Sequence, residues 1–385
     1  MISLILIVII YISFISLGLP DSMLGAAWPL MHQTLSVDIS YAGIISMTVC
    51  GGTIISAASY PMLAKRFKTA PITAFSISLT AAGLMAFGYI SNFWALLPFA
   101  LILGLGGGCV DSALNNYVAL HYKGREMSFL HASWGIGTTV GPFLLSFLFS
   151  RSLPWQYGYR YLSLFQWSIC ALVTISIPLW GKMKAKNTEA HDEDYLPIGY
   201  SDALKRKGSV YALLGFFAYC AMENTAMLWS ASYMVSRSMS ESDAAMYAGL
   251  LFWGITLGRV VSGLITDRIG DKWMIRGSLI VIVLGVLLFL LLPIGYIFIA
   301  LFIIGFGYGP LYPSMIHQTP YLYGKDASST LMGLEMASAY VGSTFMPALF
   351  GLLSKYLSMS IFPFYISFFI LLCLFETDKK AKLYK

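Results

Sequence analysis

The chain has 385 residues, 58% of them hydrophobic and only 11% charged, with a formal net charge of +6. A soluble protein carries about 25% charged residues, so most of this surface cannot face water. A soluble enzyme, a nucleic-acid binder and a disordered chain are excluded on that ground. Cys50, Cys109, Cys170, Cys220 and Cys373 all lie in apolar runs with no CxxC or Cys/His spacing. They point to buried thiols rather than to a disulfide framework or a zinc site.

The first twenty residues, MISLILIVIIYISFISLGLP, lack a basic leading region and a small-x-small cleavage site. They are read as a first membrane helix and not as a signal peptide. Crossing a bilayer takes about 20 mostly apolar residues. Twelve such stretches follow in order, at about 5–31, 40–63, 71–90, 93–121, 127–149, 160–181, 210–235, 243–265, 273–292, 295–318, 327–353 and 358–376. The long polar segment 182–208 divides them into two sets of six. The predicted organisation is an all-α membrane protein with an N-terminal bundle over 1–181, a linker over 182–208 and a C-terminal bundle over 209–385.

With both termini placed in the cytoplasm, 20 Lys and Arg residues fall on the inner side and 4 on the outer. The positive-inside rule supports that alternation. The two halves also echo each other. Gly104, Gly106 and Gly108 return as Gly305, Gly307 and Gly309, Gly137 and Pro142 as Gly342 and Pro347, and Asp21 as Glu223. Parallel six-helix repeats are one construction of transporters. Most of these glycines are expected to serve close helix packing.

Four carboxylates sit within spans: Asp21, Asp111, Glu223 and Glu335. An ionised carboxylate at mid-bilayer costs at least ~2.5–3.5 kcal/mol, which points to a functional role. A carboxyl group withdrawn from water also holds its proton more firmly, as a proton-coupled carrier needs. Asp111 is the leading candidate. Asn115 lies one turn away on the same face and Gly107 one turn away on the other side. Thr138 on span 5 is expected at a similar depth. The alternative for Asp111 is an interhelical hydrogen bond within its own bundle. Asp21 follows Pro20, which is expected to break span 1 beside the carboxylate. Glu335 has no counterpart in the repeat, and an interhelical salt bridge is its alternative. Trp134, Asn224, Trp229, Tyr308 and Tyr312 are candidate solute contacts, since an aromatic face beside carboxylate and amide groups suits a sugar. His131 and His317 are read as interfacial histidines. No HExxH, GxSxG or paired metal-ligand pattern is present, and no cofactor or metal is expected.

Several segments carry a family resemblance. Gly258-Arg259 followed by Gly263-Leu-Ile-Thr-Asp267-Arg268-Ile-Gly270-Asp-Lys272 resembles the loop motif GxxxDRxGxK of the major facilitator superfamily. The equivalent segment Tyr60-Pro-Met-Leu-Ala-Lys65-Arg66-Phe-Lys68 keeps the basic residues and lacks the acidic and glycine positions. Gly18-Leu-Pro-Asp21, Asp111-Ser-Ala-Leu-Asn115-Asn116, His131-Ala-Ser-Trp134, Tyr219-Cys-Ala-Met-Glu223 and Gly309-Pro310-Leu-Tyr312-Pro313 look most like the superfamily's fucose permease-like branch. The resemblance implies two pseudo-symmetric bundles working by alternating access. It implies proton-coupled sugar symport with Asp21 and Asp111 in the coupling. Gly263, Asp267, Arg268, Gly270 and Lys272, together with Arg259, would form a cytoplasmic latch. Gly141-Pro142 lacks the following GG of the GPxxGG pattern of proton-driven drug exporters, which favours uptake over the alternative of an exporting antiporter. A monomer in a bacterial plasma membrane is expected, handling a small-molecule solute and no nucleic acid.

Overall fold

The computed structural model describes residues 2–64, 66–122, 124–182 and 199–383. Within these, the side chains at 2, 61, 119, 120, 124, 125, 127, 128, 267, 325, 326 and 329 lie outside the description. Long helices dominate because a chain in hydrocarbon must satisfy every backbone N–H and C=O internally. Six of them make the first half: α1 (Ile2–Thr34), α2 (Ala42–Ala64), α3 (Thr69–Tyr89), α4 (Phe93–His121), α5 (Gly124–Phe149) and α6 (Gln156–Trp180). A short helix, α7 (Tyr200–Lys205), precedes α8 (Ser209–Ser236), α9 (Glu241–Ile269), α10 (Asp271–Leu291), α11 (Ile297–Tyr323), α12 (Lys325–Tyr356) and α13 (Phe362–Leu383).

Among the described residues, eleven helices are both long and apolar enough to cross a membrane. The predicted seventh span, α8, has the length at 28 residues but not the apolarity. Glu223, Asn224, Thr225, Ser230 and Ser232 interrupt it. The expected break in α1 is absent. The helix runs unbroken from Ile2 to Thr34 with Pro20 and Pro29 inside it. Pro20 removes one backbone donor, and the serine hydroxyls around it bond to carbonyls of the same turns, Ser16 to Ser13 at 2.7 Å and Ser22 to Leu19 at 3.3 Å.

The helices form two compact units, one of α1–α6 with Ser240–Gly249, the other of α7, α8 and the chain from Leu250 onward. The same pairs recur in each. α1 packs on α5 as α8 does on α12, α3 packs on α4 as α10 does on α11, and α3 packs on α6 as α10 does on α13. Alternate glycines bring α4 against both α2 and α3, and α11 against both α9 and α10. A Cβ at Gly104 or Gly108 would strike the backbone of α2, and one at Gly106 the backbone of α3. Gly305 and Gly309 meet α9 in the same way, and Gly307 meets α10. One helix is thereby held between two neighbours at backbone contact distance.

Most of the segment expected to link the halves lies outside the described residues, but its last part is structured. α7 packs against α12, with Ala203 in a small core shared with Tyr323, Ala327 and Leu331. The Tyr323 hydroxyl donates to the carbonyl of Gly208 at 3.0 Å, where φ is +87°. Cys109, Cys220 and Cys373 are buried, whereas Cys50 and Cys170 are half-buried.

Candidate functional site

In the N-terminal unit, Gly18 and Gly137 set the geometry. A Cβ on Gly18 would fall on the carbonyl of Trp134, and one on Gly137 on the carbonyl of Ile15, so α1 and α5 touch along their backbones. That approach brings the Trp134 indole to Asp21, one turn beyond Gly18, and its Nε1–H donates to Asp21 Oδ2 at 2.8 Å. Asp111 on α4 lies within electrostatic reach of Asp21. Asn115 donates from Nδ2 to Asp111 Oδ1 at 3.0 Å and to the Asp111 carbonyl, also at 3.0 Å.

Both carboxylates are exposed and Trp134 is half-buried. Acids within membrane spans face the bundle interior or a water-filled cavity rather than lipid. Gly107 keeps that face open. Of the glycines in 104–108 it alone has room for a Cβ, whose nearest neighbour would be Leu17 Cδ1 at 3.7 Å. Thr138 does not reach this face. It is buried, and its hydroxyl donates to the Gly135 carbonyl at 3.0 Å.

In the C-terminal unit, Glu223 is buried on α8. Tyr219 donates from Oη to Glu223 Oε1 at 2.6 Å, and Arg259 Nη2 on α9 lies 3.8 Å from the same oxygen. The rings of Tyr308 and Tyr312 stand 6.4 and 6.2 Å from that of Tyr219. The Tyr312 hydroxyl donates to Met336 Sδ at 2.9 Å, while that of Tyr308 is buried without a hydrogen-bond partner. The repeat offset of 201 that carries Gly104 to Gly305 also carries Asp111 to Tyr312. Each half thus sets polar groups at the same two stations, a carboxylate on its first helix and a second group on its fourth.

One predicted contact has another duty. Trp229 is fully buried and donates from Nε1 to the Pro347 carbonyl at 2.8 Å, where it fastens α8 to α12. Asn224 is half-buried and donates to the Cys220 carbonyl at 3.0 Å. Arg259 is also relocated. Nine residues separate it from Arg268, about 13 Å along the helix, so it belongs with Glu223 and not with the loop residues. Of the other predicted latch residues, Gly263 and Arg268 on α9 and Lys272 on α10 are exposed. Gly270 has φ +80°, a conformation other residues rarely adopt. The side chain of Asp267 lies outside the described residues. His317 Nδ1 stands 2.6 Å from Asp271 Oδ2.

Glu335 belongs to a further cluster. It is fully buried, and the Thr319 hydroxyl sits 3.0 and 2.9 Å from its two carboxylate oxygens. Glu376 and Lys380 on α13 act on it electrostatically and form a buried pair of their own, Nζ to Oε2 at 2.8 Å. Sequence reasoning missed Glu376 as a fifth acid in the spans. Its signal was the i,i+4 spacing to Lys380, which reads equally well as a solvated tail.

The Major Facilitator Superfamily family model matches residues 10–205 and 211–382. The chain belongs to the Major Facilitator Superfamily. Membership makes it a multi-pass transport protein and not an enzyme. It is 23% identical over 405 aligned positions to Bypass of stop codon protein 6 of Saccharomyces cerevisiae, covering 91% of this chain and 77% of that protein. Among solved structures it is similar to the nucleoside transporter NupG, with a TM-score of 0.77, 13% identity, and 98% and 99% of the two chains covered. It is similar also to a D-xylose-proton symporter, with a TM-score of 0.75, 14% identity and 96% of each chain covered. At these identities the structures show the shared fold. The similarities carry the superfamily and not its fucose permease-like branch.

Proposed function

We propose that the chain is a proton-coupled symporter of a small polar solute, with a sugar as the substrate class, working by alternating access between its two bundles. The observation that carries this reading is the Trp134–Asp21 hydrogen bond beside the Asp111–Asn115 pair on an open face inside apolar spans. A carboxylate, an amide and an indole together offer hydrogen bonds to hydroxyl groups and a flat apolar surface to a sugar ring. Asp21 and Asp111 carry the proton, and Glu223 and Glu335 are the second set of proton-handling acids. Asn115, Trp134, Asn224, Tyr308 and Tyr312 are the solute contacts.

Thr138 and Trp229 are left to packing by their burial and hydrogen bonds. Asp267, Arg268 and Lys272 act as the cytoplasmic latch, with Gly263 and Gly270 shaping the loop. The name of the structurally similar D-xylose-proton symporter supports the same substrate class. The 20-to-4 division of basic residues supports cytoplasmic termini, and the compact loops favour a bacterial plasma membrane.

The test is uptake into proteoliposomes with an imposed pH gradient, using a panel of sugars and amphipathic cations and recording the external pH. Sugar accumulation accompanied by alkalinisation of the medium is expected. Exchange of cations alone would replace this reading with drug export, and accumulation that ignores the gradient would remove the proton.

A further inference from the structure

A crevice of about 180 Å³ opens on the C-terminal unit between α9 and α10. Its origin lies in the glycine packing. α9 touches α11 through Gly258 against the backbone of Phe306, and α10 touches it through Gly307 against Ser278 and Ile282. Both helices are therefore drawn to α11 at its floor. Further out they leave a gap walled by Val261 and Ile265 on one side and by Trp273, Gly277 and Val281 on the other. At Gly277 a Cβ would meet nothing within 4 Å. Well-packed interiors leave few voids larger than a water molecule, and an apolar slot in a membrane-facing wall fills with hydrocarbon.

Basic residues adjoin Ile269, Trp273 and Gly277, which line the crevice. Arg268 at the end of α9 and Lys272 at the start of α10 are exposed, and the Arg276 guanidinium lies over the Trp273 ring at 5.6 Å. Among the described acids nearby, Asp271 pairs with His317, and Asp378 on α13 pairs with Lys382 and lies within electrostatic reach of Arg276. Trp273 is 62% exposed, as befits an indole at the level of lipid headgroups.

We propose that this crevice is a binding site for an anionic phospholipid, one acyl chain lying against Gly277 and the phosphate held by Arg276 with Lys272 and Arg268. Charge complementarity selects the occupant. A zwitterionic lipid fills the apolar slot equally well but gains less from three cations. The bound lipid also fills the gap beside the α9–α11 contact that carries Arg259.

Native mass spectrometry of the full-length protein tests the site by titration with phosphatidylglycerol and with phosphatidylcholine of the same acyl chains. The first phosphatidylglycerol is expected to bind about tenfold more tightly than phosphatidylcholine. Gly277→Leu fills the slot and should weaken both lipids, whereas Arg276→Gln should bring phosphatidylglycerol down to the level of phosphatidylcholine. Gly51→Leu, a substitution into open space in the other unit, controls for added bulk and should change neither. Equal binding of the two lipids by the unaltered protein would overturn the proposal. So would wild-type binding in Gly277→Leu, since the headgroup would then sit on the surface without the crevice. Should Gly277→Leu fail to fold, Arg276→Gln decides alone: unchanged selectivity overturns the site.

Discussion

The indole N–H of Trp134 donates to the carboxylate of Asp21 at 2.8 Å, between two helices that Gly18 and Gly137 bring into backbone contact. The hydrogen bond fixes one carboxylate oxygen and leaves the other open to a solute or to a proton. Trp134→Phe keeps a ring in place and deletes only the donor. A hydrogen bond to a charged group is worth about 1.5–3 kcal/mol. Trp134→Phe is therefore expected to lower kcat/KM for uptake by about tenfold or more. The thermal stability of the purified protein should hardly move. Uptake at the wild-type level would show that the indole serves packing alone.

The Asp21 and Asp111 carboxylates lie within electrostatic reach of one another on an exposed face. If they carry the coupled proton, their amide analogues should separate transport from coupling. Asp21→Asn and Asp111→Asn are each expected to abolish gradient-driven accumulation. Exchange of labelled against unlabelled solute at equal concentrations should persist in at least one of them. Accumulation surviving in both single variants and in the double variant would take the proton away from this pair.

The glycine repeat supplies a stability test with its own control. A Cβ at Gly104 meets the backbone of Val49, which has no means of yielding, whereas one at Gly107 meets only the tip of Leu17 at 3.7 Å. Gly104→Ala is expected to lower the melting temperature markedly, in the manner of overpacking that costs roughly 1–3 kcal/mol. Gly107→Ala should leave it unchanged. Because Gly107 lies one turn from Asp111, Gly107→Ala should instead raise the KM for solute. Equal melting temperatures for the two variants would contradict the packing assignment.

How much of this was legible in the sequence depended on which periodicities are local. The spans were legible because backbone satisfaction in lipid demands long apolar runs. The alternate glycines at 104–108 and 305–309 were legible because helix contact repeats at short spacings. Asn115 beside Asp111 was legible because it lies one turn away on the same helix. Contacts across sequence left no such trace. Trp134 and Asp21 are 113 residues apart, and nothing in either segment announces the other. The Thr138 and Trp229 assignments failed because helix position alone does not say which face a neighbour covers. The break expected at Pro20 failed because one lost donor in a long apolar helix is too small a fault to stop it.

In the C-terminal unit Tyr219 and Arg259 converge on one oxygen of Glu223, at 2.6 and 3.8 Å. Tyr219→Phe removes the short contact and leaves the ion pair to hold the carboxylate. Arg259→Gln removes the cation and leaves a buried acid without its countercharge. Breaking a buried pair from one side costs about 3–5 kcal/mol, more than losing one hydrogen bond. Arg259→Gln is therefore expected to lower thermal stability much further than Tyr219→Phe. Adding Glu223→Gln to Arg259→Gln should restore much of the loss. A double variant no more stable than Arg259→Gln would mean that Arg259 acts through some other group.

The cluster of Glu335, Glu376 and Lys380 places two carboxyl groups and one ammonium in a buried site, with Thr319 bridging both oxygens of Glu335. Fully ionised, the three sum to one negative charge that no neighbour in the cluster balances. Lys380→Met would leave two acids and no cation, a loss on the order of 3–5 kcal/mol for a buried pair broken from one side. Lys380→Met is expected to lower the melting temperature steeply at neutral pH and much less at acidic pH, where both acids are protonated. The double variant Lys380→Met with Glu376→Gln should recover most of the stability, because Glu335 keeps its Thr319 contact. Comparing the melting temperatures of these variants at the two pH values checks the point. A Lys380→Met protein as stable as the wild type at neutral pH would show that the Glu376–Lys380 pair does not carry this part of the fold.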